Sequence, residues 1–364
     1  MRHPLHAICP YFAMFPERFV AEQLLAYTRP KDLVFDPFCG RGTTVLESLL
    51  NGRAAIGSDI NPVAACVAGA KAQVPELQAV LARLNALEEL FEAIDERATP
   101  PSDFFATCFH VKTFAQIAFL RERLTWQDDP TDRFIAAVIL GVLHGESHRS
   151  AMCLSNRMPR TISTKPDYSV RWWRERGLEP PERDAFKILR QAASFRYSKL
   201  PPRAHGKVVL TDSRKAAERF VEHNGKVALV VTSPPYLDTT DYSEDQWLRL
   251  WFLGGSERPV HRLNRDDRHT VPTDYWSFLS EVWNGTEPLL RESSTIVIRI
   301  GGTRLAKDAL LEGLQSGLSE AMKRRTVRAL HSGRSSEITK RQTNSFRPGT
   351  KPERLEHDFT FQVT

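Results

Sequence analysis

The 364-residue chain is 41% hydrophobic with a net charge of +6, which supports one large domain with an insertion, or two domains, around a substantial core. No run of about 18 apolar residues occurs and Met1–His6 lacks an apolar stretch, which speaks against a transmembrane helix or a signal peptide. Five scattered cysteines (Cys9, Cys39, Cys66, Cys108 and Cys153) without CxxC spacing argue against a disulfide framework or a structural zinc site, and predict a cytoplasmic protein with no metal.

In chain order, the first predicted element is a helix over residues 16–29, opened by Pro16 and turning Phe19, Val20, Leu24 and Leu25 to a core. Leu33–Phe35 is a short apolar strand. It runs into Asp36-Pro37-Phe38-Cys39-Gly40-Arg41-Gly42-Thr43-Thr44, and a helix follows to Asn51, closed by Gly52. Residues 54–59 form the next strand, ending in Asp59, and Asn61-Pro62 starts another helix. Strand, glycine turn, helix, strand and acid make one βαβ unit, whose ligand site lies at the C-terminal ends of the strands.

The texture then changes. Residues 75–97 read as a long amphipathic helix, and 113–124 and 131–145 as two more, the last apolar along Phe134–Leu143 and therefore buried. Residues 141–205 hold 13 Lys/Arg against 6 Asp/Glu, interleaved with Tyr168, Trp172 and Trp173. Pro180-Pro181 precedes a helix over 182–197, and Pro201-Pro202 ends the segment. A second basic stretch, 323–354, has 10 Lys/Arg against 2 Asp/Glu, which leaves the rest of the chain net acidic. Basic segments segregated on an acidic chain predict a polyanion partner held by specific regions. For Trp172-Trp173, internal packing is the competing reading.

Alternation of strand and helix resumes with a strand over 208–213, Asp212 near its end, and a helix over 214–223. Val227–Val231 is a buried strand that must stop at Thr232-Ser233-Pro234-Pro235-Tyr236, because two prolines donate no backbone hydrogen bonds and fix φ near about −65°. Their carbonyls still accept, beside an aromatic ring. Such a corner suits a planar base bound through its amino group. Helices over 242–252 and 275–290 flank a polar loop, 256–270; 295–300 is a strand ending in Gly301-Gly302, and 306–322 is a helix. Strands over 326–331 and 357–363 complete an open, mainly parallel α/β sheet interrupted by a helical basic insertion.

The glycine turn departs from the dinucleotide fingerprint, which needs a third glycine where Val45 stands. Gly40 and Gly42 permit a tight turn. Asp36 suits the cationic end of a ligand, Asp59 ribose hydroxyls, and Asp212 an adenine amino group. A ligand with all three features is S-adenosylmethionine. The stretches D-P-F-C-G-R-G-T-T, G-S-D-I-N-P and T-S-P-P-Y resemble the first, second and catalytic fourth motifs of DNA amino-methyltransferases. Cys9–Pro16 resembles the segment that closes over the cofactor's methionine end in that family. The resemblance covers about residues 1–72 and 206–302. It implies a Rossmann-like class I methyltransferase fold, with a catalytic domain from 1–74 and 206–364; the insertion at 75–205 is expected to be a target-recognition region from its basic composition and its position alone. The resemblance also implies S-adenosylmethionine held by Tyr11, Phe15, Asp36, Pro37, Phe38, Gly40, Gly42, Thr43, Thr44, Asp59, Ile60 and Asp212.

An exocyclic base amine is a poor nucleophile because its lone pair is delocalised into the ring. Acceptors that hold its N–H groups pull the nitrogen toward sp³ and aim the lone pair at the methyl group. Ser233 (hydroxyl) and Pro234 (carbonyl) are the expected acceptors, Pro235 stiffens the corner, and Tyr236 is the stacking ring. Methylation at cytosine C5 would need a Pro-Cys pair at this corner, and none is present; Cys39 reads as a small packing residue. A base in double-stranded DNA reaches such a corner only when flipped out. Arg149, Arg157, Arg160, Lys165, Arg171 and Arg174 are the expected DNA contacts, with Arg324, Arg325, Arg328, Arg334, Lys340, Arg341 and Arg347 as a second set. In the resembled family Ser-Pro-Pro-Tyr accompanies cytosine N4 and Asp-Pro-Pro-Tyr adenine N6, so N4-methylcytosine is the expected product. Adenine N6, an RNA base and a nucleic-acid-binding module without catalysis are the alternatives. The family resemblance leaves room for a cognate restriction endonuclease as a partner.

Overall fold

A computed structural model describes residues 2–11, 16–94, 97–146, 152–158, 166–237, 246–259, 272–301, 305–337 and 355–364. Two compact units divide the chain. Ala13–Ala72, Pro202–Thr240 and Leu263–Thr364 form one, and Met1–Phe12, Gln73–Pro201 and Asp241–Arg262 form the other. The insertion expected at 75–205 falls largely within the second of these units, in its segment Gln73–Pro201. The helical unit also takes in the first twelve residues and a segment that follows the Ser-Pro-Pro-Tyr corner.

Among the described residues the first unit is built on eight strands: β1 (Leu33–Asp36), β2 (Ala54–Asp59), β3 (Lys207–Leu210), β4 (Val227–Thr232), β5 (Leu290–Gly301), β6 (Val327–Ala329), β7 (Arg334–Glu337) and β8 (Leu355–Val363). Their order is β3-β2-β1-β4-β5-β8-β6, and β7 also pairs with β8. The strands from β3 to β5 are parallel, whereas β8 runs antiparallel to β5, β6 and β7. Strand order reverses at the β1/β4 boundary, and in an open α/β sheet ligands bind in the crevice beyond the C-terminal ends at such a point.

Both faces of the central strands are covered, which is why β1 and β4 read as unbroken apolar runs. Phe35, Val230, Ile296 and Ile298 point to one face, under α5 (Pro272–Thr286) and α6 (Lys307–Ala321). Val34, Leu229, Val231 and Val297 point to the other, where they meet Phe19, Val20 and Leu24 of α1 (Glu17–Tyr27). Beside them α2 (Thr43–Leu50) and α3 (Pro62–Ala72) pack through Val45, Leu49, Ala68 and Ala72 onto Ala55 of β2. The helix expected at 214–223 is instead broken, with only a single turn, α4 (Ala216–Arg219), between two 3-10 turns. Asp212 accepts from the Arg214 amide and begins the first of these turns.

The helical unit contains helices at Leu77–Glu92, Asp103–Cys108, Val111–Arg123, Pro130–Val142, Pro166–Arg174, Ala185–Arg196 and Trp247–Phe252. Its core is aromatic. Phe104 meets Trp247 at 5.0 Å and Phe105 meets Trp251 at 4.6 Å between ring centroids. Trp173 is fully buried and its Nε1 donates to the Arg157 carbonyl at 2.6 Å, so this tryptophan packs internally. The N-terminal residues are fixed to helix Pro130–Val142 by close approach: a Cβ at Gly141 would lie 2.0 Å from the Ile8 carbonyl oxygen. Buried Arg249 donates to the carbonyls of Leu140 (3.0 Å) and Pro10 (2.9 Å) across that contact. Among the described residues, no helix is long and apolar enough to cross a membrane.

Candidate active site

Three strand ends carry the site: Asp36 on β1, Asp59 on β2 and Thr232 on β4. Asp36 is 1% exposed. Its Oδ1 accepts from the Thr232 hydroxyl at 2.6 Å and from the Phe38 amide at 3.1 Å. Burial pushes its carboxyl up to about 7; the bonds from Thr232, Thr44 and Phe38 oppose that rise, and the nearby charge of Asp59 adds to it. Asp59 is half-buried in its strand-end position. It accepts from the Gly40 amide at 2.8 Å and the Asn61 amide at 2.9 Å, and burial lifts it to about 6. The acid on the second strand therefore braces the turn that follows the first.

The turn is knitted from beneath. The Pro37 carbonyl accepts from the hydroxyls of Ser58 (3.2 Å) and Ser213 (2.5 Å), which joins the ends of β1, β2 and β3. Thr43 and Thr44 are buried, and the Thr44 hydroxyl donates to the Val231 carbonyl on β4 at 3.1 Å. Gly42, with φ 75°, is the N-cap of α2, and a Cβ there would lie 2.8 Å from the Cα of Ala68. Its lack of a side chain serves the packing of α2 on α3. Lys71, wholly buried in the alanine-rich α3, donates from Nζ to the Arg41 carbonyl at 2.5 Å. Phe38 sits 6.1 Å from Phe278, ring to ring, and Ile60 next to Asp59 is 69% exposed, an apolar surface at the rim of a polar site.

At the corner after β4, Pro234 is buried and the hydroxyl of Tyr275 donates to the Pro235 carbonyl at 3.0 Å. The Ser233 hydroxyl donates to the Tyr236 oxygen at 3.4 Å, and Tyr236 donates to Glu356 Oε1 on β8 at 3.0 Å. Burial pushes the Tyr236 phenol well up, and the charge of Glu356 adds to the effect. Arg299 on β5 lies 3.7 Å from Glu356, pairs with Asp358 at 2.6 and 2.7 Å, and stacks 3.8 Å above the Phe19 ring. Thr232, Tyr275, Lys71, Arg299 and Glu356 were not among the residues expected from sequence. Thr232 opens the T-S-P-P-Y stretch, where sequence assigns it no role, and Lys71 is the one charge in α3, so both left a signal; Glu356 left none.

Asp36, Pro37, Phe38, Gly40, Gly42, Thr43, Thr44, Asp59 and Ile60 come together as expected around the ends of β1 and β2. Asp212 follows the end of β3, where Arg214 takes its carboxylate at 2.5 and 2.9 Å and also reaches Glu281 at 3.2 Å. Tyr11 belongs to the helical unit. Phe15, Arg149, Arg160, Lys165, Lys340, Arg341 and Arg347 lie outside the described residues. Arg157 and Arg171 are exposed in the helical unit, whereas Arg174 pairs with Asp103 at 2.5 Å. Arg325 is a correction. It pairs with Glu287 at 2.8 Å and donates to the carbonyls of Leu290 and Arg291, so its guanidinium locks β5 in place.

Residues 3–68 match the family model for N6/N4 methyltransferases, described as DNA methylase. Over this segment, about a fifth of its length, the chain is similar to DNA methylases of that family. A curated relative, the orphan methyltransferase M.BamHII of Bacillus amyloliquefaciens, is 43% identical over 49 residues; the match covers 14% of this chain and 18% of that relative. Two solved structures also align. The rRNA methyltransferase aviRa from Streptomyces viridochromogenes matches at 11% identity and TM-score 0.34, over 98% of this chain and 91% of its own. M. jannaschii TYW2, solved in complex with AdoMet, matches at 8% identity and TM-score 0.32, over 96% and 78%. The strand order of the sheet unit, with an antiparallel strand inserted before the last parallel position, is that of the class I methyltransferase fold. The cofactor of such a segment is S-adenosylmethionine, and the residues present fit it. Buried Asp36 and half-buried Asp59 end adjoining strands, as carboxylates for a cationic group and a diol would, and exposed Ile60 offers an apolar surface beside them.

Proposed function

We propose that the protein transfers the methyl group of S-adenosylmethionine to an exocyclic amine of a DNA base, in the first place N4 of cytosine. One observation carries this reading: the 2.6 Å hydrogen bond from Thr232 to Asp36, which joins the Ser-Pro-Pro-Tyr corner directly to the buried acid of the cofactor turn. When bound, S-adenosylmethionine supplies a methyl group activated by a sulfonium. Asp36 holds its cationic end, Asp59 its ribose hydroxyls, and Gly40 and Phe38 line the turn beside them. Ser233 and the Pro234 carbonyl accept the N–H groups of the target amine. The Pro235 carbonyl already has Tyr275 as a donor, which leaves the neighbouring carbonyl for substrate. Tyr236 supplies the ring on which the base stacks. The transfer is a direct displacement governed by positioning, so no nucleophilic cysteine is needed.

A hydroxyl at position 233 favours cytosine N4 over adenine N6, which is the second reading. Exposed Arg157 and Arg171 support double-stranded DNA as substrate and the helical unit as the target-recognition region. A cytoplasmic location on DNA and a cognate restriction endonuclease belong to the same reading. The test uses purified protein, radiolabelled cofactor and unmethylated plasmid DNA, followed by digestion to nucleosides. Label in N4-methylcytosine is the expected result, and label in N6-methyladenine transfers the assignment to the second reading. Label in neither, with transfer to structured RNA or to nothing, overturns the DNA assignment.

A further inference from the structure

The corner contains one chain of hydrogen bonds whose direction is fixed by its far end. An ionised carboxylate has no proton to give, so at the Tyr236–Glu356 contact the phenol must be the donor. Having spent its only proton there, the Tyr236 oxygen can take part in the 3.4 Å contact with Ser233 only as an acceptor. Ser233 is thereby obliged to donate backwards, away from substrate, and the lone pairs of its hydroxyl are left for an incoming N–H. A serine alone would be indifferent between donating and accepting. The charge that sets the order is held by Arg299, itself buried, paired with Asp358 and stacked on Phe19.

We infer that Glu356 is a positioning residue for methyl transfer: acting through Tyr236, it polarises Ser233 into an obligate acceptor for the target amine. This rests on the proposed function and deepens it, because it explains how a neutral hydroxyl performs the task of a carboxylate at that position. The carboxylate is present, two oxygens removed, on the antiparallel strand β8.

The test compares wild type, Glu356→Gln, Glu356→Asp, Tyr236→Phe and the Gln/Phe double variant in single-turnover methylation of plasmid DNA, with cofactor affinity by calorimetry and thermal melting in parallel. An amide in place of Glu356 can donate to Tyr236 and reverse the chain. The Glu356→Gln rate should fall about 10- to 100-fold, the loss of a charge-assisted hydrogen bond. Cofactor affinity and melting should stay close to wild type, and Glu356→Asp should recover part of the rate. Because both single changes cut the same chain, the double variant should be no slower than the slower single one. Equal rates for Glu356→Gln and wild type, or multiplicative losses in the double variant, overturn the inference while leaving the proposed function intact. Should Glu356→Gln fail to fold, Tyr236→Phe, which keeps the ring, must still show the rate loss at unchanged cofactor affinity. Absence of transfer by the wild-type protein overturns both.

Discussion

Replacing Asp36 by Asn should make the sheet unit more stable and the cofactor site weaker, in a pH-dependent way. The isosteric amide keeps an oxygen to accept from Thr232 and Phe38 but removes a charge that is 1% exposed. Asp36 is lifted by burial from an ordinary 3.8 to about 7. Between those values the folded protein holds a proton that the unfolded chain has released, so native stability falls as pH rises through the window. The full effect above pH 7 is about 4 kcal/mol, since each pH unit corresponds to about 1.4 kcal/mol. Relative to wild type, Asp36→Asn should therefore be near neutral at pH 4 and stabilised by up to about 4 kcal/mol at pH 8. Amide hydrogen exchange of β1 and β4 measures this within the sheet unit and avoids treating a two-unit chain as one cooperative transition. Binding should move the other way. Wild-type affinity for S-adenosylmethionine should increase as pH rises through about 7, and the variant should bind weakly with no such inflection. A variant destabilised equally at pH 4 and pH 8 would refute the idea that burial, rather than packing, governs this carboxyl.

Four further outcomes are expected. Ser233→Ala should lower the single-turnover rate by about 100-fold, as loss of a positioned acceptor does, with cofactor affinity retained. Asp59→Ala, which also frees the Gly40 amide, should weaken the cofactor by about tenfold or more before it affects turnover; calorimetry and stopped-flow rates separate the two. Gly141→Ala should destabilise the helical unit by about 1–3 kcal/mol, because the new methyl meets the Ile8 carbonyl, and exchange along helix Pro130–Val142 reports it. Arg325→Ala should reduce stability but leave the salt dependence of DNA binding unchanged, whereas Arg171→Ala should lower that salt slope by about one.

Much of the sheet was legible because parallel strands covered on both faces must be apolar throughout and must end in polar turns. Val227–Thr232 followed by two prolines, and Leu33–Asp36 followed by a glycine turn, mark their own C-terminal ends and hence one side of the sheet. The acids at those ends were readable for the same reason. What the acids touch was harder to see. Gly42 looked like a residue spared for a ligand, and it is spared for Ala68, whose identity matters only once α3 lies on α2. Asp212 carries its own partner two residues later, a local pair that competes with any ligand. Glu356 could not be found at all from local pattern, because Leu355–Val363 reads simply as an alternating strand. Its nearness to Tyr236, 120 residues away in sequence, is a product of β8 entering the sheet antiparallel beside β5. Arg325 misled for a related reason: charge counts record its charge but not the carbonyls of Leu290 and Arg291 that claim it.

On the proposed reading of the helical unit as the target-recognition region, the five passages of the chain between its two compact units bear on how such a protein could acquire a new target. Exchanging residues 73–201 for a homologous block would look like a clean cassette swap. The incoming block would nevertheless meet an Arg249 and an N-terminal arm that had been selected against a different helix, with the clamp to Leu140 and Pro10 and the close fit of Ile8 on Gly141 both at stake. A functional chimera should therefore need three segments from the same donor, residues 1–12, 73–201 and 241–262, moved together.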